Sequence, residues 1–388
     1  MHQRTIKAGF NDDVSIKNSL LDMYTKSSTS LNDGVKAFEE ISFPDAITWT
    51  SMISGSTLHG YEHESIRMFN SMRVSRVIPN SHTISAVLKA CRIVKSPHET
   101  LKLHVYVVKT DTCRDVSVCN ALIDAYAALG DVSEAFTLLG TMKSRDPISY
   151  TCLATRLSEI GRYEEALEVL KGMVDCGVNM DGFTLAFFVS TSTKLGSPEI
   201  GPVLHGFSIR TGLKSWNSVV NSLVSYYGKQ GLVDEAEMVL REACDPDVVG
   251  WNSLIFGLTE KGLVTSALSV FDEMRMMGVR PDSFTFSLVI GACGRENLVE
   301  LGLEYFGLIK ESLVEPTREH YLGVIHLLGK ANRLEEALGV LDSTPFKPTP
   351  RMYRTLMKAC RLHNNYLLYE EMSRRCKQIE ATGRFVSD

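Results

Sequence analysis

The amino-acid sequence predicts an all-α fold, an α-solenoid in which helix–turn–helix repeats stack into a superhelix. Three observations predict it: an internal period of about 100 residues, a division of that period into pairs of short helices, and the absence of any alternating strand pattern. A chain of 388 residues would otherwise suggest two or three domains. A stack of hairpins instead buries one continuous core that no single hairpin could form.

The long period is visible in equivalent residues along the chain. Trp49, Tyr150 and Trp251 are spaced by 101 residues. Offsets that agree at many positions indicate a periodic array rather than chance similarity. The same step of 101 separates Asp45, Asp146 and Asp247.

The period divides into segments of about 35, 35 and 31 residues. A partial segment at 1–13 precedes them, and a divergent tail at 350–388 follows. The predicted repeat array covers 14–349, with repeats at 14–45, 46–80, 81–115, 116–146, 147–181, 182–216, 217–247, 248–282, 283–317 and 318–349.

Each segment is predicted to form two helices. In the segment 116–146, apolar residues recur at helical spacing until Gly130 ends the first helix. Asp131 and Glu134 have the spacing of a capping box, which predicts the start of the second helix. Small residues recur in the second helices and predict close helix packing, at Ala135, Ala166, Ala236 and Ala337.

Composition and charge exclude several classes of protein. Hydrophobic residues make up 44% and charged residues 22%, as in an ordinary globular chain rather than a disordered one. The formal net charge of −5 excludes a polybasic mode of nucleic-acid binding but not a local basic groove. No apolar run approaches the ~20 residues that span a bilayer, and we expect no membrane association. The nine cysteines contain no Cys-x-x-Cys pair, so we expect reduced, mostly buried thiols and no metal or other cofactor.

Several segments resemble pentatricopeptide repeats, and the alternating repeat lengths resemble the plant subclass built from P, L and S repeats. The segments are NALIDAYA (120–127), WNSLIFGL (251–258), FDEMRMMGVRPD (271–282) and LHGFSIRTG (204–212). Near the end, EHYLGVIHLLGKANRLEEA (319–337) and YRTLMKACRLH (353–363) resemble the last S repeat and the E motif of that subclass. The 1–13 segment would then be a partial L repeat.

The resemblance implies binding of single-stranded organellar RNA, one base per repeat, read by the fifth and last residues of each repeat. The pairs implied are Asn18 with Asp45, Thr50 with Asn80, Ser85 with Asp115, Asn120 with Asp146, Thr151 with Asp181, Asn221 with Asp247, and Asn252 with Asp282. The approximate base preferences of the family then imply the sequence U-A-(G)-U-G-x-U-U. The pairs Ala186/Trp216 and Leu322/Thr349 depart from the pattern, which leaves their bases unspecified.

A structural interpretation stands beside this one, because Asn, Thr and Asp near a helix start are also common caps. The second residue of three repeats, Ile47, Ile148 and Val249, would by resemblance stack on bases, although ordinary core packing is the equal alternative. Lys26, Lys229 and Lys330 share one position on the first helix and would contact phosphates. His2, His104 and His205 are interpreted as groups that pack between repeats rather than as metal ligands.

The sequence contains none of the motifs of a cytidine deaminase. The His-x-Glu and Cys-x-x-Cys elements that hold and use zinc are missing, as is a C-terminal Asp-Tyr-Trp. We therefore expect no catalytic residue and no enzymatic activity in this chain. The resemblance implies a monomeric site-recognition factor for C-to-U RNA editing, which recruits a deaminase or an editing-complex protein through its C-terminal motif.

Two alternatives remain open from the sequence. One is an RNA-binding solenoid for organellar RNA stability, splicing or translation, and the other is a protein-binding helical scaffold. The resemblance to this family implies a location in a plant organelle, the mitochondrion first and the chloroplast as the alternative. The first residues contain no segment typical of a targeting peptide. Because the array starts in the middle of a repeat, a fragment or a truncated gene product is a third open alternative.

Overall fold

The computed structural model describes residues 14–27 and 31–383. These residues form 22 α-helices and two short 3₁₀ turns, and the described ranges contain no β-strand. The helices follow one another as eleven helical hairpins, which confirms the predicted all-α solenoid class. The predicted partial repeat at 1–13, with His2, lies outside the described residues.

The chain divides into two compact units, residues 1–184 and 185–388. The helices of the first unit are α1 (Val14–Ser27), α2 (Asn32–Glu39), α3 (Ala46–Leu58), α4 (Glu62–Val74), α5 (Ser81–Val94), α6 (Pro97–Lys109), α7 (Val116–Leu129), α8 (Val132–Thr141), α9 (Pro147–Glu159) and α10 (Tyr163–Asp175).

Helix α11 (Gly182–Leu195) contains the division between the units. The helices that follow it are α12 (Ile200–Thr211), α13 (Asn217–Gln230), α14 (Val233–Arg241), α15 (Val248–Glu260), α16 (Val264–Met276), α17 (Ser283–Glu296), α18 (Val299–Glu311), α19 (Arg318–Lys330), α20 (Leu334–Asp342), α21 (Pro350–Leu362) and α22 (Tyr366–Gly383).

Each unit is built from layers of first and second helices. In the first unit, α1, α3, α5, α7 and α9 pack against one another in chain order, and in the second unit α13, α15, α17, α19 and α21 do the same. In every hairpin other than the one formed by α11 and α12, the second helix packs back on the first helix of its own hairpin. The four small residues of the second helices, Ala135, Ala166, Ala236 and Ala337, are fully buried, as their spacing predicts. One layer in each unit therefore consists of first helices.

Local sequence explains where the helices begin and end. Gly130 ends α7 in the left-handed conformation with φ of 83°, which costs glycine little. The Asp131 side chain accepts the Glu134 backbone amide at 3.3 Å and so starts α8. The predicted capping box is wrong in its second half, because the Glu134 carboxylate lies 3.9 Å from His104 Nδ1 rather than returning to the Asp131 amide.

The repeated histidines pack between neighbouring repeats. His104 Nδ1 lies 2.9 Å from the Tyr126 hydroxyl, and His205 Nδ1 lies 3.0 Å from the Tyr227 hydroxyl. Both rings meet their tyrosine edge-on. This confirms the packing role predicted for these two residues.

A buried histidine in α19 accepts and donates hydrogen bonds in one protonation state. His320 Nδ1 accepts the Thr317 backbone amide at 3.0 Å, so the ring proton is on Nε2, which donates to the Ser283 carbonyl at 2.7 Å. Burial lowers the pKa of His320 although the bond to Ser283 raises it. Protonation of Nδ1 would both charge a buried ring and remove its acceptor.

We expect the free energy of unfolding to decrease as the pH falls below the unfolded histidine pKa of about 6.5. A depressed folded pKa means that the unfolded chain binds the proton first, at a cost of at most about 1.4 kcal/mol per pH unit. Denaturant unfolding at pH 7.5 and 5.5 measures this. H320Q, which keeps polar atoms but cannot titrate, should reduce the difference between the two pH values; an equal difference in both proteins would contradict the assignment.

Candidate nucleic-acid interface

The last residue of most repeats caps the first helix of the next repeat. Asp45 Oδ1 accepts the Thr48 amide at 2.8 Å, and Asp282 Oδ1 accepts the Thr285 amide at 2.8 Å. The same kind of contact, between a side-chain oxygen and a backbone amide of the next helix, is made by Asn80, Asp115, Asp146, Asp181 and Asp247. The cap interpretation therefore holds for the last residues.

The fifth residues are different, because each lies one turn inside a first helix. Asn18 is the fifth residue of α1, Thr50 of α3 and Asn252 of α15. A helix cap lies outside the helix, so the cap interpretation is wrong for the fifth residues. Their side chains need another explanation.

In three repeats the fifth and last residues contact each other directly. Asn18 Nδ2 donates to the two carboxylate oxygens of Asp45 at 3.2 and 3.3 Å. Two further amide–carboxylate pairs have one such bond each, at 3.2 Å from Asn221 to Asp247 and at 3.2 Å from Asn252 to Asp282. The structure therefore brings together three of the seven predicted pairs as hydrogen-bonded units.

The other four predicted pairs share no direct side-chain hydrogen bond. Thr50 Oγ1 donates to the Ala46 carbonyl at 2.6 Å, and Thr151 Oγ1 donates to the Pro147 carbonyl at 2.9 Å. Ser85 Oγ and Asn120 Oδ1 are buried atoms without a hydrogen-bond partner among the described residues. The four pairs are Thr50 with Asn80, Thr151 with Asp181, Ser85 with Asp115, and Asn120 with Asp146.

Capping lowers the pKa of several of the last residues and keeps them ionised. Burial raises the pKa of the Asp282 carboxyl, but bonds from the Thr285 amide and hydroxyl and from Asn252 outweigh it, and the pKa is lowered. At Asp181 the bond from the Thr184 amide lowers the pKa. Burial raises the pKa of Asp45, but bonds from Thr48 and Asn18 outweigh it and the pKa is lowered. At Asp115 the bond from the Ser81 side chain, followed by bonds from Ser117, lowers the pKa. These residues therefore present negative charge and acceptor oxygens.

The second residues of the repeats are apolar and exposed. Ile47 is 59% exposed, Ile148 64% and Val249 52%. Core residues of this protein are nearly inaccessible, so the alternative of core packing is wrong. Two aromatic residues at the same position of their repeats, Phe183 and Phe284, were not predicted from the sequence, and they are 70% and 56% exposed. The step of 101 residues between them is the signal that could have found them.

The three predicted phosphate-contacting lysines have different surroundings. Lys26 Nζ pairs with the Asp22 carboxylate at 2.8 Å. Lys330 Nζ donates to the Gly294 and Arg295 carbonyls at 3.0 and 2.7 Å, at the end of α17. Lys229 is exposed and makes no ion pair within the described part of the chain. Of the three, Lys229 is the most available to an anion.

No group of three or more His, Cys, Asp or Glu side chains among the described residues is arranged to hold a metal ion. None of the described helices combines the length and the apolar character needed to cross a membrane.

A stack of helical hairpins with recurrent polar pairs on its first helices defines a helical-repeat protein. Sequence profiles identify the repeat. A profile described as PPR repeat matches residues 47–77, 117–146, 148–178, 218–245, 284–312 and 319–343, and one described as PPR repeat family matches 246–295. The chain belongs to the pentatricopeptide repeat family.

Known relatives agree with this family. A chloroplastic pentatricopeptide repeat-containing protein of Arabidopsis thaliana is 40% identical over 97% of this chain and 42% of its own length. A mitochondrial one from the same plant is 28% identical over 98% of this chain and 50% of its own length. The chain thus spans about half the length of the curated relatives it matches.

Solved structures share the fold. The crystal structure of the pentatricopeptide repeat protein PPR10 from maize superposes with a TM-score of 0.66 at 19% identity, covering 92% of this chain and 56% of that chain. PPR10 in complex with an 18-nt psaJ RNA element superposes with a TM-score of 0.61 at 20% identity, over 88% of this chain and 51% of that chain.

Proposed function

We propose that the chain is a sequence-specific single-stranded RNA-binding protein of a plant organelle. The observation that carries the proposal is the recurrent amide–carboxylate pair on the first helices. Asn18 with Asp45, and Asn252 with Asp282, keep the same contact although they are more than 200 residues apart. Structural caps need only the aspartate, so the buried partner amide calls for a further role.

The chemistry of these pairs suits the edge of an unstacked base. An asparagine amide has donors and an acceptor, and a carboxylate has further acceptors, so together they can match the Watson–Crick edge of one nucleotide. The exposed second residues Ile47, Ile148 and Val249 offer apolar surfaces against which base faces would pack. Reading by neutral and acidic groups is compatible with a net charge of −5.

The relatives support the cellular setting. Their names place one relative in the chloroplast and another in the mitochondrion, and one structural neighbour is a complex with RNA. We propose an organellar location for this chain, the mitochondrion first and the chloroplast as the alternative. The repeat boundaries given above, with their P, L and S types, belong to the same proposal.

We further propose that the chain selects sites for C-to-U editing and recruits a deaminase in trans through the E-like segment 350–388. The support is the resemblance of residues 353–363 to an E motif. Deleting the gene and sequencing organellar transcripts separates this role from RNA stability, splicing or translation. Lost C-to-U conversion at defined sites is expected; unchanged editing together with altered transcript ends would contradict it.

RNA binding itself is tested by measuring the affinity of the purified chain for RNA that contains U-A-N-U-G-N-U-U and for scrambled RNA of the same composition. We expect tighter binding of the former, by about 1–3 kcal/mol for each matched contact. Equal affinity at physiological salt would contradict the proposed function. Absence of RNA binding together with a co-purifying protein would favour the protein-binding scaffold.

The salt dependence of binding should be shallow. If Lys26, Lys229 and Lys330 contact one phosphate each, the logarithm of the affinity should fall with a slope of about −2 against the logarithm of the salt concentration, at about 0.7 per contact. Titrations between roughly 50 and roughly 300 mM salt measure the slope. K229A should reduce its magnitude by about 0.7; a slope several times steeper would contradict this account.

A further inference from the structure

In several repeats the third residue of the first helix contacts the fifth residue of the preceding repeat. Three threonine hydroxyls make this contact, whereas Thr184, at the same position of α11, contacts Asp181 instead. Thr48 Oγ1 donates to Asn18 Oδ1 at 2.6 Å, and Thr285 Oγ1 donates to Asn252 Oδ1 at 2.7 Å. The Thr50 and Thr83 hydroxyl oxygens lie 2.7 Å apart in the same arrangement. The contact recurs in both units.

These threonines also contact the capping residue. Thr48 Oγ1 lies 2.9 Å from Asp45 Oδ1, and Thr285 Oγ1 lies 2.8 Å from Asp282 Oδ1. Each threonine is fully buried. The hydroxyl has a single proton, which the asparagine oxygen and the carboxylate can each accept. The threonine, the asparagine of the preceding repeat and the capping aspartate thus form a group of three side chains within hydrogen-bond distance of one another.

The group fixes the orientation of the asparagine side-chain amide, that is, which neighbour its nitrogen faces and which its oxygen faces. The nitrogen of Asn252 faces the Asp282 carboxylate and its oxygen faces the Thr285 hydroxyl. Reversal of the amide would place its oxygen against a carboxylate and leave the threonine proton without its nearest acceptor. Both contacts therefore oppose reversal, and among the hydrogen bonds of the described residues only one of the two amide hydrogens of Asn252 is used, in the bond to Asp282.

Two other asparagine readers lack this threonine. The third residue after Asp247 is Gly250, and Asn221 Oδ1 is buried without a hydrogen-bond partner in the described part of the chain. Asn221 Oδ1 points at this glycine, since a Cβ added to Gly250 would lie 2.8 Å from it. After Asp146 the third residue is Ser149, whose hydroxyl donates to Asp146 Oδ1 at 2.7 Å and leaves Asn120 Oδ1 without a partner.

We propose that Thr48 and Thr285 are positioning residues that set how sharply the preceding asparagine distinguishes uracil from cytosine. The inference rests on the proposed function. Uracil offers a carbonyl oxygen at the ring position where cytosine offers an amino group. A fixed amide donor suits the former, whereas an amide that can reverse its ends accepts the latter as well.

The inference ranks four uracils that the base-reading residues alone would make equivalent. In U-A-N-U-G-N-U-U, the first and eighth bases face Asn18 and Asn252, which have the threonine. The fourth and seventh bases face Asn120 and Asn221, which lack it. We expect a single U-to-C change in the RNA to weaken binding more at the first and eighth bases than at the fourth and seventh.

The test measures affinity for RNA with U or C at the eighth base, using the full chain with T285V, T285S and T259V. Valine keeps the shape of threonine and removes the hydroxyl, and serine restores the hydroxyl. T259V is the matched control, because Thr259 is also buried and donates to the Ile255 carbonyl at 2.7 Å without contacting Asn252. We expect T285V to reduce the U-over-C ratio about fivefold, the effect of one neutral hydrogen bond, while T285S and T259V keep the ratio of the unmodified chain.

The outcomes separate this inference from the proposed function. If the unmodified chain does not distinguish U-A-N-U-G-N-U-U from scrambled RNA, the proposed function fails and the inference fails with it. If it does, but T285V keeps the U-over-C ratio, or T259V loses the ratio as well, the inference alone is overturned. T48V with U or C at the first base provides the same test should T285V not fold.

Discussion

Replacing Gly201 by alanine is expected to destabilise the protein, although alanine favours helices. Gly201 lies in α12, where an added Cβ would lie within 2.1 Å of two atoms of the Tyr226 ring. The ring cannot move away easily, because Tyr226 is fully buried and its hydroxyl donates to the Ser197 carbonyl at 2.7 Å. Overpacking of this kind costs about 1–3 kcal/mol.

Gly206 in the same helix provides the matched control. Nothing lies within 4 Å of a Cβ added there, so G206A should gain the helix propensity of alanine, up to about 1 kcal/mol. Denaturant unfolding of both variants measures the free energies. Changes of opposite sign are expected, and a G201A protein as stable as the unmodified chain would show that α12 and α13 do not approach as closely as described.

The second large effect is a change of base preference. T151N is expected to shift the preference at the fifth base of U-A-N-U-G-N-U-U from G towards U. The Thr151 hydroxyl donates to the Pro147 carbonyl, whereas the longer asparagine side chain could donate to Asp181, as Asn18 does to Asp45. The measurement is the affinity for four RNAs that differ only in the base at that position. We expect their ranking to change, with differences in binding free energy of about 1–3 kcal/mol.

The reverse substitution provides the control for T151N. N252T should shift preference at the eighth base from U towards G and leave the fifth base unaffected. The two residues lie in different repeats. If each repeat reads one base, each substitution should therefore affect the preference at only one base. If both variants lower affinity for every RNA by the same factor, the assignment of readers to bases is wrong.

Much of the fold could be predicted because repetition supplies many copies of the same signal. The small residues of the second helices and the glycine that ends α7 follow simple local rules, and the structure agrees with both. The capping box at Asp131 is half right, because His104 from the preceding repeat is near enough to attract Glu134. Contacts between repeats of this kind depend on three-dimensional neighbours that periodicity does not specify.

The sequence predicted which positions of each repeat form the candidate site, but not the hydrogen bonds that the side chains at those positions make. Spacing alone gives Asn221 and Asn252 the same role, yet one lies beside Gly250 and the other beside Thr285, and only the second has its oxygen bonded. The two asparagines differ because the third residue of the following repeat is glycine in one case and threonine in the other. That residue lies in a different helix from the asparagine, so the spacing of the asparagines does not reveal it. In the same way, exposure rather than composition distinguishes Ile47 and Phe284 from core residues.

The most direct test of the central claim is selection of bound RNA from a random single-stranded pool by the purified chain, followed by sequencing. The account predicts enrichment of U-A-N-U-G-N-U-U as one continuous register, with its first and eighth uracils the least tolerant of C. An enriched pool without a shared motif, or a motif unrelated to the order of the repeats, would contradict it.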